Sequence, residues 1–120
     1  MLIGGGRFLG LETRPYSSND ALAVLVVIEY PGDEDGPGEV ESFPISINLD
    51  YAENPVKSKD LPKGQFFAKD YSEGTKIFNA LVNEGLIEVV PDSSRVATGY
   101  VTVPICRLTE KGTAALPRQR

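Results

Sequence analysis

The side chains able to do chemistry in this chain are carboxylates, lysines and tyrosines, because histidine is absent and Cys106 is the only cysteine. Without histidine there is no Ser-His-Asp or Cys-His nucleophile, no histidine zinc ligand and no imidazole general base. A single cysteine permits neither an intrachain disulfide nor a thiolate cage for a metal. Cys106 lies between Ile105 and Arg107 in an alternating stretch and reads as a small buried hydrophobe. Asp33, Glu34, Asp35 and Glu39 crowd carboxylates together, as hard cations require, but the calcium-loop spacing with its terminal glutamate is missing. That stretch reads as a solvated acidic turn offering a negative surface to a basic partner. Lys69, Asp70 and Tyr71 stand at the start of a helix and join Asp33, Glu34, Asp35 and Glu39 as candidate partner-binding residues. Carboxylate and phenol chemistry would be possible there if Arg107 came close, but capping and packing account for Asp70 and Tyr71.

A third group interleaves Lys57, Lys59, Lys63, Lys69 and Lys76 with Tyr51, Phe66, Phe67 and Tyr71. Single-stranded nucleic acid binding uses that combination of charge and aromatic faces. Against it, Phe66 and Phe67 read as core residues and the lysines as the solvated part of a loop. Gly4-Gly5-Gly6 precedes a strand and no Gly-Lys-Ser/Thr follows, so it is no phosphate loop. No catalytic residues, cofactor or metal are expected.

The elements that must position these groups belong to one domain spanning residues 1–120, with 41% hydrophobic residues and enough chain to bury a core. Residues 1–60 carry 4 Lys/Arg against 11 Asp/Glu, a balance of −7; residues 61–120 carry 8 against 6, a balance of +2. The acidic half repels a phosphate backbone, which makes nucleic acid the minority partner. The start lacks the charged and apolar regions of a signal peptide, and the longest apolar run, Leu22 to Ile28, is too short for a bilayer. A cytoplasmic protein without membrane association is expected.

Residues 1–6 and 111–120 read as flexible ends, Glu110 to Arg120 being a polar tail. Arg7 to Arg14 reads as a strand, Pro15 to Asp20 as a turn, and the apolar, valine-rich Ala21 to Tyr30 as a strand covered on both faces. After the broken run Pro31 to Gly38, Val40 to Leu49 alternates like a half-buried strand, and Pro44 places it at a sheet edge. Asp50 to Gly64 reads as an irregular connection, with a short strand from Gln65. A helix follows over about residues 72–84: Asp70 and Glu73 resemble a capping box, Ile77, Phe78, Leu81 and Val82 form the apolar stripe, and Gly85 fits the left-handed position beyond the end. Leu86 to Val90 and Tyr100 to Thr109 read as strands joined by a loop. The expected fold is α+β, a mostly antiparallel sheet of about five or six strands with one helix packed on it.

Two resemblances bear on function. Residues 80–116, with ALVNEGLIEVVPD and RLTEKGTAAL, resemble the end of a winged-helix regulator of the MarR type. That likeness implies Thr75, Lys76, Asn79 and Asn83 on the exposed face of a reading helix, with Arg95 at the wing tip. A helix-turn-helix needs a preceding helix, and this sequence reads there as loop and strand. Over more of the chain, Phe66, Lys69, Asp70, Tyr71, Ser72, Glu73, Gly85, Gly99, Tyr100, Val103, Pro104, Cys106 and Arg107 resemble the pattern of a family of short uncharacterised proteins of phages, plasmids and other mobile elements. The likeness implies an α+β accessory protein and brings no activity. The expected function is therefore non-enzymatic binding of another protein, or of a second copy, through the acidic face or a strand edge. The alternative is a nucleic-acid-binding regulator using Lys76, Asn79 and Arg95.

Overall fold

A computed structural model describes residues 2–3, 5–34, 36–50, 54 and 56–117. The α+β expectation holds; among the described residues there are ten strands in three antiparallel sheets and two α-helices, more than the five or six strands and one helix expected. The first sheet has the order β1 (Leu2–Ile3), β2 (Gly6–Pro15), β3 (Leu22–Tyr30), β4 (Glu39–Pro44). The second contains β5 (Ser46–Ile47), β6 (Gln65–Ala68), β7 (Ile87–Val89) and β10 (Ile105–Leu108), in the order β5-β6-β10-β7. Between β7 and β10 in sequence, β8 (Val96–Thr98) and β9 (Val101–Val103) make a separate hairpin; α1 is Gly74–Asn83 and α2 Glu110–Ala114.

Where one long strand is expected from Val40 to Leu49, the chain turns a corner between β4 and β5. Ile45 N–H still donates to Val24 O on β3 (2.9 Å), and β5 then pairs with β6 in the other sheet. The buried Ser46 hydroxyl pins that corner, accepting from Val24 N–H (2.9 Å) and bonding the Tyr16 hydroxyl (2.7 Å). A buried hydroxyl without such partners would cost about 1–3 kcal/mol. The strand expected from Tyr100 to Thr109 is likewise divided by Pro104 between β9 and β10, which lie in different sheets.

Two hydrophobic cores result. Leu11, Val24, Val26 and Ile28 from the first sheet pack with Phe66, Leu81, Leu86, Ile87 and Cys106; Leu49, Phe67, Val96 and Val103 fill a second core that also takes in Ile105. Adjacent strand residues point to opposite faces, so Phe66 and Phe67 enter different cores.

The helix ends as expected. Gly85 has φ +72°, with Leu86 N–H donating to Leu81 O (2.9 Å) and Gly85 N–H to Val82 O (3.0 Å), a Schellman closure. Its start differs: Glu73 occupies the cap position without a side-chain cap bond, and the Asp70 carboxylate turns to Arg95. Leu2–Ile3 and Glu110–Ala114 form elements within or beside segments expected to be flexible. Leu2 and Ile3 pair with Arg7 and Gly6. Glu110–Ala114 is helical with Thr109 as its cap, accepting from Gly112 N–H at 3.0 Å. Ala115 O then accepts from Leu11 N–H (3.0 Å), covering the β2 edge beside the bulge at Leu9.

Candidate functional site: an acidic edge strand

β4 is the outer strand of the first sheet, and no other described strand pairs with its free side. Antiparallel ladders alternate, each residue turning both its N–H and C=O to one neighbour and the next residue turning them away. Because Ile45 N–H points to β3, the two-residue alternation turns Phe43, Glu41 and Glu39 to β3 and leaves Val40, Ser42 and Pro44 facing outward. Pro44 has no N–H to offer, so the open ladder stops there. Val40 is 59% exposed, and Glu39, Glu41 and Ser42 are exposed beside it. Phe43 anchors the strand by packing edge-on against Tyr30, with ring centroids 6.4 Å apart.

The acidic residues belong to the same hairpin. Asp33 N–H donates to Gly36 O (3.0 Å) and Gly36 N–H to Asp33 O (3.3 Å), so the loop from β3 to β4 closes on itself. Gly38 makes the closure possible, because a Cβ there would lie 2.2 Å from Tyr30 O. Asp33, Glu34, Glu39 and Glu41 are exposed, and Asp35 lies outside the described residues. Among the described residues, Glu34, Glu39 and Glu41 have no ion-pair partner, whereas Glu29 is bound by Arg7 at 2.6 Å. The acidic turn and the open strand edge, separate features in the sequence, thus form one surface. Glu41 was missed by sequence reading, although its alternation with Glu39 along an edge strand was the signal for it.

Lys69, Asp70 and Tyr71 lie elsewhere, at the junction of β6 and α1, and are engaged within the molecule. The Asp70 carboxylate takes Arg95 on both oxygens, at 2.8 and 3.1 Å, and its side chain is only 15% exposed. Arg95 also donates from Nε to Thr102 Oγ1 (2.8 Å), so the pair clamps the β8–β9 hairpin to the approach of α1. Neighbouring Asp70 raises the Arg95 pKa still further. Lys69 bonds Glu73 and holds its ammonium 5.8 Å from the centre of the Tyr71 ring, and Tyr71 packs against the second core. Lys69 holds the Glu73 carboxyl below its ordinary value. Arg107 does not join them, pairing with Glu88 at 2.8 Å.

Lys76 and Asn79 are exposed on α1, but strand β6 leads into that helix, and among the described residues no α-helix precedes it. Arg95 sits at the base of the hairpin it was expected to tip; the tip is Gly99, at φ +61°, and the fully exposed Tyr100. Of the basic, aromatic strip, Phe66 and Phe67 are in the cores and Tyr51 lies outside the described residues. Cys106 is buried, and burial, reinforced by the nearby Asp70 charge, pushes its thiol up to about 12. It is no nucleophile at neutral pH. Among the described residues no three His, Cys, Asp or Glu side chains gather to hold a metal, and no helix is long and apolar enough to cross a membrane. No family model, curated protein or solved structure matches the chain.

Proposed function

We propose that this is a non-enzymatic binding protein that takes an extended, basic segment of a partner protein onto the outer side of β4. The observation that carries the reading is the coincidence of an open ladder at Val40 and Ser42 with the unpaired carboxylates Glu34, Glu39 and Glu41 on one hairpin. In strand addition, main-chain hydrogen bonds supply affinity and flanking side chains choose the partner. Carboxylates at this edge steer cationic segments to it and oppose acidic ones. They also oppose self-pairing, since a β4–β4 seam brings Glu39 and Glu41 of both copies together. A basic segment of another protein is therefore favoured over a second copy. The reading agrees with the accessory role that the mobile-element resemblance implies.

The test is a titration of isotope-labelled protein with an extended peptide of alternating lysine and valine, beside an acidic peptide of the same length. Perturbation of the Val40 to Phe43 amides by the basic peptide alone, abolished by Ser42→Pro, supports the proposal. Binding that maps to α1 instead, or strong salt-dependent binding of duplex DNA through Lys76 and Asn79, sinks it in favour of the nucleic-acid reading.

A further inference from the structure

The end of the molecule away from the acidic hairpin holds a cleft of about 380 Å³, between the β2–β3 turn and the loop from Ser58 to Gln65. Four separate pieces of chain build it. Thr13 and Arg14 come from the end of β2, Asp20 from the turn, Lys59 from the 3₁₀ turn Ser58–Asp60, and Lys63 and Gln65 from the approach to β6 and its first residue. The volume falls within the range of small-molecule sites, roughly 300–1,000 Å³.

The lining is rich in donors. Among the described residues Lys59 and Lys63 have no ion-pair partner, and neither the Thr13 hydroxyl nor the Gln65 side-chain amide makes a hydrogen bond. Arg14 has only Glu12 at 3.4 Å, with both side chains exposed. In a chain of net charge −5, the cleft brings together three cations, Arg14, Lys59 and Lys63, against Asp20 and the Glu12 carboxylate paired with Arg14, a local balance of +1. Two turns hold the walls in place. Tyr16 N–H donates to Ala21 O (2.8 Å), presenting Asp20 at φ +57°, and Gln65 N–H donates to Pro62 O (3.1 Å) around Gly64 at φ +87°. Among the described residues no exposed aromatic side chain lines the cleft to stack a base, so a compact anion suits it better than a run of nucleotides.

We infer that this cleft binds a phosphate monoester, held by the ammonium groups of Lys59 and Lys63, which have no ion-pair partner among the described residues, with Arg14 beside them and Asp20 as the one opposing lining carboxylate. Thr13 and Gln65 supply neutral donors, and the phosphate oxygens accept charge-assisted bonds from the cations. The same chemistry is offered by a phosphorylated small molecule and by the phosphorylated end of an oligonucleotide.

Amide and side-chain resonances of the labelled full chain would be followed on addition of inorganic phosphate, glycerol 3-phosphate, and a short thymidine oligonucleotide with and without a 5′-phosphate. Saturable shifts at Thr13, Lys59, Lys63 and Gln65 are expected, weakened at least about tenfold by K59Q/K63Q. Asp20→Asn, which suits a left-handed position, is expected to tighten inorganic phosphate by several-fold because it removes the opposing charge. Tighter binding of glycerol 3-phosphate than of the oligonucleotide identifies a small-molecule ligand; the reverse order identifies a nucleic-acid end. Shifts that do not saturate, that spread equally to Lys69, Lys76 and Lys111, or that survive K59Q/K63Q overturn the proposal. So does an Asp20→Asn variant that binds inorganic phosphate no more tightly.

Discussion

Cys106 shows how one side chain is assigned by what surrounds it. Its sulfur is buried in the first core, and that burial, reinforced by the nearby Asp70 charge, keeps the thiol neutral far above its ordinary pKa of 9.0. The folded pKa, about 12, lies above the unfolded one, so this group favours the fold below pH 9 and loses that contribution as pH rises from about 9 to about 12. Denaturant midpoints for wild type and Cys106→Ala across pH 8 to 11 should therefore converge as pH rises, since only the wild type has a thiol to ionise. A constant gap would contradict the shift, and a thiol reagent should label the native protein only through unfolding. The Asp70–Arg95 pair is also structural: Arg95→Ala leaves a mostly buried carboxylate short of its partner, at about 1 kcal/mol given the exposure of the guanidinium. Asp70→Asn should cost less on top of Arg95→Ala than alone, as a double-mutant cycle in urea would read. Cys106 as core was legible from its alternating strand. Asp70 was misread as a cap because its partner lies 25 positions on, and no local pattern reports such a pairing.

At the scale of elements, local signals served where local chemistry decides. Gly85 marked the end of α1 because only a residue tolerant of positive φ closes that turn cheaply, and Pro44 marked an edge because it lacks a donor. The division of Val40–Leu49 at Ile45 was illegible because the apolar alternation runs unbroken through a corner made by Ser46, Val24 and Tyr16. α2 carried a signal, Thr109 ahead of Glu110, but five residues make no stable helix alone, and this one rests on its packing. Gly112 permits that packing: a Cβ there would lie 2.0 Å from Leu86 O, so Gly112→Ala should destabilise by about 1–3 kcal/mol in thermal or chemical unfolding. A variant as stable as wild type would mean that α2 can lift off without consequence. For the open edge, the alternation along β4 predicts fast amide hydrogen exchange at Val40 and Ser42 and slow exchange at Glu41 and Phe43. Equal protection at all four would remove the free ladder on which partner binding depends.

The whole molecule has two poles joined by one strand. β3 begins at Leu22, beside the cationic cleft, and ends at Tyr30, beside the acidic turn; nine strand residues span about 27 Å. Fields from exposed charges decay over about 8 Å at physiological ionic strength, so neither pole feels the other there. The acidic turn and the Pro44 edge were each legible in the sequence, but not their union on one hairpin; the cleft was not legible, because it gathers residues 13, 14, 20, 59, 63 and 65 from separate segments. The separation makes a kinetic prediction. Replacing Glu34, Glu39 and Glu41 by glutamine should slow association of a basic peptide by about tenfold or more at low salt, with dissociation nearly unchanged, because steering acts on encounter. K59Q/K63Q should leave that rate unchanged at physiological salt and raise it by less than about twofold when the Debye length is stretched to about 30 Å in dilute buffer. Stopped-flow traces at two ionic strengths would resolve both effects. A rate indifferent to the three carboxylates but sensitive to the two lysines would move the partner site from the β4 edge to the opposite end of β3.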